Sequence, residues 1–445
     1  MVHPSRAIRG RTSRLLDGRK ILIGVSGSIA AIEVPKIVRE LIRHGAEVRA
    51  VMTSEAIRIV SPEAIEFATG HPPVLKLSGG VEHVTLLGPG EGRADLYLIA
   101  PATANTIAKI AHGIDDTAVT SCASVALGGG VPIVLAPAMH SLMGQNPAVV
   151  ESLEKLRAWG VELLFGPSVE GEAKIASPED IAAAVLHRLA TGPWKGARVT
   201  VVGGASREPI DAVRSITNQS SGATAVALAT QAFYRGADVE LWAGALEVAV
   251  PGWIPVRRWR GVSDLLALAH QRRNELRRSV AVLVPAALSD FTLEPRAGKI
   301  ASRGTDRLTL TLVRAPKVLP ELRRLAPAPT RLVAYKLLAG EGADALEKEG
   351  RRLAEEVGAD WVVANDVSAV GQAEANVLVL PREGGRRWIR GPKAEIAGKL
   401  LDDLGRELMD LSSGPAPPGE LKSRRPRAHP RRSAGRRARR RSVPG

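Results

Sequence analysis

Cysteine occurs once in 445 residues, at Cys122, which excludes an internal disulfide framework and fits a reducing cytoplasm. No apolar run reaches the ~18 residues that a membrane helix needs. The charged N-terminus is not followed by a hydrophobic stretch, so a secretory signal is not expected. His and Cys show no metal-ligand spacing, and the dinucleotide fingerprint GxGxxG is missing. Net charge is also missing from most of the chain, although the total is +15. Residues 412–445 carry eleven Lys/Arg against one acid and residues 1–20 carry six against one, which leaves 21–411 neutral. A nucleic-acid-binding body is thereby disfavoured. The Arg-rich run 436–441 could meet nucleic acid or an acidic membrane, but no aromatics are interleaved there for base stacking.

What is present is an ordinary globular composition, 45% hydrophobic and 24% charged, in a chain too long for one core. Short aliphatic runs at 20–25, 47–52, 96–100, 133–136, 198–202, 238–242, 280–285, 332–335 and 361–364 read as buried strands with helical periodicity between them. That alternation predicts an α/β fold: two Rossmann-like, three-layer αβα domains with mainly parallel sheets. The expected divisions are a basic extension 1–17, a first domain 18–190, a linker 191–196, a second domain 197–410 and a tail 411–445. The tail is rich in Pro, Gly, Ser and Arg and is expected to be disordered. A weak repeat supports two units, because both His44-Gly45-Ala46 and Arg235-Gly236-Ala237 read as helix C-caps feeding a second strand.

In the first unit Gly24-Val25-Ser26-Gly27-Ser28 joins a strand to a helix, where small residues let amides approach a phosphate and Ser26 and Ser28 add hydroxyls. Pro35 predicts a break in the helix that follows. Ala100-Pro101-Ala102-Thr103-Ala104-Asn105-Thr106-Ile107-Ala108-Lys109 likewise starts a helix from a strand end, with Thr103, Asn105 and Thr106 placed to cap it or to meet a ligand. These strings, with Pro137-Ala138-Met139-His140-Ser141-Leu142-Met143, resemble the flavin-dependent cysteine decarboxylases over about 18–190.

That resemblance implies a flavodoxin-like domain, assembled as a trimer or a multiple of one. FMN would lie on Gly27, Ser28, Thr53, Thr103, Asn105, Thr106 and Ala138. It implies His83, in Val81-Glu82-His83-Val84 and expected just before a strand, as the catalytic base, with His140 and Met143 on the substrate. Two departures stand out. The family carries Asn where His140 stands, and a lid cysteine has no counterpart in 170–176, where Lys174 or solvent would donate the proton. Cys122 reads as a buried apolar residue.

In the second unit Arg207-Glu208-Pro209-Ile210-Asp211 and Thr217-Asn218-Gln219-Ser220-Ser221-Gly222 form a loop too long for an idle connection, ending in an anion site before a helix. With Ser289-Asp290-Phe291, Gly298-Lys299-Ile300, Ala315-Pro316-Lys317-Val318 and Ala364-Asn365-Asp366 it resembles the phosphopantothenate–cysteine ligases over about 196–405.

The resemblance implies activation of the 4′-phosphopantothenate carboxylate by CTP, with ATP the alternative, and displacement of the nucleotide by cysteine. Lys299 would steady phosphate charge, Asn218 the acyl carbonyl, and Asp290 the nucleotide or its Mg2+. Ala286, Pro316, Lys317, Val318, Leu319 and Tyr335 would line the nucleotide pocket. Lys348 or Arg351 would substitute for the lysines that the bacterial pattern has in this region, 340–358. Fusion in this order is that of the bifunctional coenzyme A biosynthesis proteins, which implies a cytoplasmic homo-oligomer. A ligase with a degenerate flavin half is one alternative. A rival class, an NAD(P)-dependent oxidoreductase, lacks its fingerprint here.

Overall fold

The structure is a computed structural model that describes the chain except residues 1–2, 170–171, 302, 304–305, 341, 368–371, 373 and 413–445; side chains of 168–173 and 411–412 are also outside the description. The tail assigned to 411–445 therefore lies almost wholly outside the described residues.

The first sheet contains β1 (Lys20–Val25), β2 (Glu47–Met52), β3 (Leu96–Ala102), β4 (Ile133–Pro137) and β5 (Glu162–Leu163) in the order 2-1-3-4-5. Every neighbouring pair is parallel. β3 and β4 are buried along their whole length, as expected of strands covered on both faces. One apolar cluster, around Ile23, Leu41, Met52 and Val185, fills one side, and a second, around Tyr97, Ile107, Cys122 and Leu135, fills the other. Cys122 is buried among apolar side chains, and burial pushes its thiol up to about 12.

Pro35 lies in the first turn of α1 (Val34–Arg43), directly after a 3-10 turn over Ile29–Glu33. The expected break is thus a change of helix type, at a position where the missing N–H of proline removes no bond. At its other end Gly45 N–H reaches Ile42 O and Ala46 N–H reaches Leu41 O, a Schellman cap. Gly236 and Ala237 repeat it on Phe233 and Ala232. Residues 4–17 pack back onto the end of α1: Ser13 bonds the buried His44 at 2.7 Å, Arg9 donates to Gly45 O at 2.8 Å, and Leu16 is buried.

The second sheet contains β6 (Arg198–Gly203), β7 (Asp238–Ala243), β8 (Val256–Arg258), β9 (Ala281–Val284), β10 (Arg331–Leu338), β11 (Trp361–Asp366), β12 (Glu374–Pro381) and β13 (Arg387–Pro392). In the order 8-7-6-9-10-11-12-13 its first six members follow the doubly wound 3-2-1-4-5-6 pattern. Only the last two additions are antiparallel. β12 and β13 were not expected from the sequence, because their exposed outer positions break up the apolar run. Helices α2 (Ala104–Ala111) and α3 (Ala118–Gly129) cover the first sheet, and α4 (Pro178–Leu189) meets the second domain. There α5 (Ala223–Tyr234) faces α4, with His187 stacked on Phe233 at 4.2 Å and Trp253 donating to Asp180 at 3.1 Å. In the linker, Trp194 is buried and donates to Leu401 O at 3.0 Å.

Gly203 ends β6 where a Cβ would lie 2.0 Å from the Ala225 Cβ on α5. Gly203→Ala must therefore push α5 off the sheet. Loss of about 1–3 kcal/mol is expected, read as a lower denaturant midpoint at unchanged m-value.

Candidate functional site

In an open parallel sheet, ligands enter the crevice at the carboxyl ends of the strands where the strand order reverses. In the first domain that point lies between β1 and β3. Hydrogen bonds connect four strand ends there: Thr53 N–H to Val25 O at 3.0 Å, Thr103 N–H to Ser26 Oγ at 3.0 Å, Ser26 Oγ–H to Pro101 O at 2.7 Å, and Ala138 N–H to Ala102 O at 3.0 Å. Gly27, Ser28, Thr53, Thr103, Asn105, Thr106 and Ala138 are thereby drawn to one edge.

Each hydroxyl has a local duty. Thr53 caps Ser54–Ile57, Ser28 caps Ile29–Glu33, and Thr103 caps α2 by accepting the Thr106 N–H. Ser26 is buried and committed to Pro101 and Thr103, so it does not add the ligand hydroxyl expected from the sequence. A Cβ on Gly27 would lie 2.3 Å from the Glu55 Cβ, so only glycine lets these two loops approach. The mouth is lined by amides and hydroxyls at helix starts, a donor set that suits the phosphate of a flavin nucleotide.

His83 sits in the first turn of a short helix, Glu82–Leu87, and not before a strand. Val81 ahead of it has φ +47°, a conformation costly for a β-branched residue. Such outliers persist where surrounding contacts enforce them, often at functional sites. Here Glu82 accepts the Ser78 N–H at 2.9 Å and also bonds its hydroxyl, which holds the turn. His83 Nδ1 is buried without a partner among the described residues. His140 caps Ser141–Gly144 by accepting the Leu142 N–H on Nδ1 at 3.2 Å, so any proton it donates comes from Nε2. His140 and Met143 are both exposed. Of the proton donor expected from 170–176, residues 170–171 and the side chains of 172–173 lie outside the description, and Lys174 is exposed.

The second crevice is built alike. Ser206 is buried; its Oγ accepts the Ser289 N–H at 2.9 Å, its N–H reaches Ala287 O at 3.1 Å, and its carbonyl accepts the Thr217 hydroxyl at 2.7 Å. The long loop is a hairpin, Arg207–Pro209 with Ser215–Thr217, and not irregular chain.

Two cavities open at this edge. The smaller, about 160 Å³, lies at the N-terminus of α5 and includes Ser220, Ser221, Lys336, Asn365 and Lys393. The larger, about 650 Å³, includes Asn218, Asp290, Pro316, Lys317, Tyr335 and Arg352. Ala286, Val318 and Leu319 line it as well, so the expected nucleotide residues do converge. Asn218 donates to Leu288 O at 3.0 Å, leaving its second amide hydrogen for a ligand. Asp290 pairs with Lys317 at 2.9 Å. No group of three His, Cys, Asp or Glu among the described residues could hold a metal, so Mg2+ at Asp290 would need phosphate oxygens for most of its shell.

Three basic residues fall elsewhere than expected. Lys299 is exposed and lines neither cavity. Lys348 is exposed, and Arg351 is turned to the carbonyls of Pro381 and Gly384. The neighbouring Arg352, itself exposed, borders the larger cavity instead. Lys299 rides on a segment gripped by Asp211, whose buried carboxylate accepts from the N–H groups of Arg214, Val213 and Ile300 at 2.7, 2.8 and 3.0 Å and from the Arg214 guanidinium at 2.7 Å.

Residues 9–190 match the flavoprotein family, and 194–407 match the family described as the DNA/pantothenate metabolism flavoprotein C-terminal domain. The chain is 41% identical over 409 residues to the coenzyme A biosynthesis bifunctional protein of Thermococcus kodakarensis, covering 92% of this chain and 100% of that one. The chain belongs to the bifunctional coenzyme A biosynthesis proteins. The corresponding protein of Methanocaldococcus jannaschii is 34% identical over 409 residues, 91% of this chain and 98% of that one. A solved FMN-dependent cysteine decarboxylase, SpaF, is 33% identical over 38% of this chain and 99% of its own, with a TM-score of 0.33. As a member of the bifunctional family, the chain is an enzyme with a flavoprotein decarboxylase half and a ligase half. Among the described residues no helix is long and apolar enough to cross a membrane.

Removing the Ser26 hydroxyl leaves the half-buried Thr103 N–H without its partner. Ser26→Ala should cost about 1–3 kcal/mol and weaken flavin retention, read by thermal unfolding and by the flavin absorbance of the purified protein. Backbone N–H groups, that of Arg214 first, hold the Asp211 carboxyl well below the usual carboxylate range. Its contribution is therefore complete above about pH 4 and disappears only as pH falls through the lower folded value. Asp211→Asn should speed proteolysis of 296–300 at neutral pH, whereas the wild type should show that acceleration only in strong acid.

Proposed function

We propose that the carboxy-terminal half joins cysteine to 4′-phosphopantothenate at the expense of CTP, through an acyl-cytidylate. The amino-terminal half then decarboxylates the product to 4′-phosphopantetheine on FMN. The observation that carries this reading is the pair of adjoining cavities at the second switch point, one at a helix N-terminus and one lined by apolar walls. The α5 N-terminus, Ser220, Ser221 and Lys393 suit the phosphate of phosphopantothenate. Ala286, Pro316, Val318, Leu319 and Tyr335 suit a pyrimidine, with Lys317 and Arg352 for its phosphates. Asp290 would face Mg2+ held mainly by those phosphates. Asn218 would steady the acyl carbonyl with its free N–H.

A carboxylate is a poor electrophile, because an oxide would have to leave; the nucleotidyl ester provides a phosphate leaving group instead. Cysteine's amine then attacks the acyl carbon and CMP departs. Charge developing on phosphate is what the protein must stabilise. Lys299, outside both cavities in this conformation, is a candidate for that role only through movement of the segment Asp211 holds.

In the first half, a bound flavin supplies the two-electron acceptor and donor that loss of CO2 from a cysteine carboxylate requires. Ser28, Thr53, Thr103, Asn105 and Thr106 would hold it, with the small Gly27 and Ala138 beside it. His83 would take the thiol proton, its unpartnered Nδ1 supporting an unfulfilled polar role. His140 would donate to the substrate carboxylate beside Met143. The exposed apolar side chains Ile29, Ile32 and Leu142 near this mouth support a trimer-based homo-oligomer. The reading places the enzyme in the cytoplasm.

The test is to incubate the purified protein with phosphopantothenate, cysteine, Mg2+ and either CTP or ATP, and to weigh the products. Phosphopantetheine and CMP are expected. His83→Gln should stay yellow but accumulate phosphopantothenoylcysteine, with decarboxylation slowed by about 10²-fold or more. A protein that stays colourless after reconstitution with FMN and forms no nucleotide-dependent adduct contradicts the proposal.

A further inference from the structure

In-line attack of a carboxylate on a nucleotide α-phosphorus requires both substrates to meet at one point. If one substrate enters each cavity of the ligase half, that point lies on the wall they share. The residues bordering both cavities are Gln219, Ala286, Ala287, Tyr335, Lys336 and Leu337. Lys336 is the one charged residue among them.

Its position follows from strand geometry. On β10 the side chains alternate between the two faces of the sheet. Val333 and Tyr335 pack with the cluster beneath α5, and Leu332 and Ala334 with the cluster on the other face. Lys336 shares the face of Ala334 but stands near the carboxyl end of the strand, past the point where pairing with β9 stops at Val284 and Ala334. It pairs there with Ala364 on β11, a small neighbour that leaves its stem room.

The other cations around the cavities are committed or placed to one side. Lys317 is paired with Asp290 at 2.9 Å, Arg352 with Glu349 at 2.7 Å, and Lys393 borders the smaller cavity only. Lys336 forms no ion pair or side-chain hydrogen bond among the described residues. Glu349 feels its charge but is bonded to Arg352.

We propose that Lys336 is a further charge-stabilising residue of the ligase reaction, its ammonium lying between the substrate carboxylate and the α-phosphate. This deepens the nucleotide reading given above and rests on it. In the first step a carboxylate oxygen forms a bond to the α-phosphorus while the bond from that phosphorus to the bridging oxygen breaks, and pyrophosphate leaves with the electron pair. In the second the cysteine nitrogen bonds the acyl carbon, the acyl–oxygen bond breaks, the nucleoside monophosphate leaves with its electrons, and the amine proton passes to solvent. Negative charge gathers on the α-phosphate oxygens in both steps, so a fixed cation there lowers both barriers.

The experiment is exchange of labelled pyrophosphate into CTP, with phosphopantothenate and Mg2+ but no cysteine, in the full chain. Lys336→Met, close in length but uncharged, should lower kcat for exchange by about 10²–10³-fold with both KM values changed by less than about threefold. Lys336→Arg should recover a large part of the rate. The melting temperature and flavin absorbance of both variants should match the wild type, which separates lost charge from lost fold. Undiminished exchange in Lys336→Met, or a rise in one KM at unchanged kcat, overturns the proposal and leaves the nucleotide reading standing. A wild type that exchanges pyrophosphate into neither CTP nor ATP overturns the nucleotide reading itself, and this assignment with it.

Discussion

Both halves of the molecule depend on one small interaction, a buried serine hydroxyl that ties two loops together where the strand order reverses. Ser26 joins the ends of β1 and β3 through Pro101 and Thr103. Ser206 joins the ends of β6 and β9 through Ala287 and Ser289. A parallel sheet must splay its loops apart at such a point, because the connections on either side leave in opposite directions. The splayed mouth exposes backbone amides to a ligand, and the serine limits how far it opens. Without that tie the N–H groups of Thr103 and Ser289 would lose their partners.

From this shared device the two domains diverge through what surrounds it. The first mouth is framed by hydroxyls and helix starts and holds no free cation among its expected ligand residues, which suits a cofactor held by neutral donors. The second has two cavities and several cations, which suits polyphosphate chemistry. Thr217, at the end of the hairpin, lines the larger cavity. The two domains meet through aromatic contacts of Phe233, Trp253 and His187 and through the buried Trp194 of the linker. α5 itself borders the smaller cavity at one end and carries the interdomain contact at the other, so a shift of either domain bears on that cavity.

Much of the core was legible before any coordinates. Strands such as 96–100 and 133–136 fall within those found, because a strand buried on both faces must be apolar throughout and short. The short edge strand Val256–Arg258 and the outer pair β12 and β13 were not legible, since exposed positions dilute the apolar signal. His83 was expected just before a strand and sits instead in the first turn of a helix. The strained φ of Val81 that starts its helix depends on Ser78 and Glu82 closing the turn. Ser26 looked like a ligand hydroxyl, and only its burial revealed an internal tie.

By itself the sequence determined which loops join a strand to a helix through small residues at the carboxyl edges of the two sheets. Small residues between a strand and a helix permit a close turn, and their spacing along the chain is a local property. Tertiary structure decided which cations those loops meet. Lys299 was the expected cation, with Lys348 or Arg351 as substitutes, yet Lys336, Arg352 and Lys393 line the cavities beside the expected Lys317. Where a side chain points is set by strand register, helix rotation and the approach of elements distant along the chain, and none of these is encoded in the residues next to it.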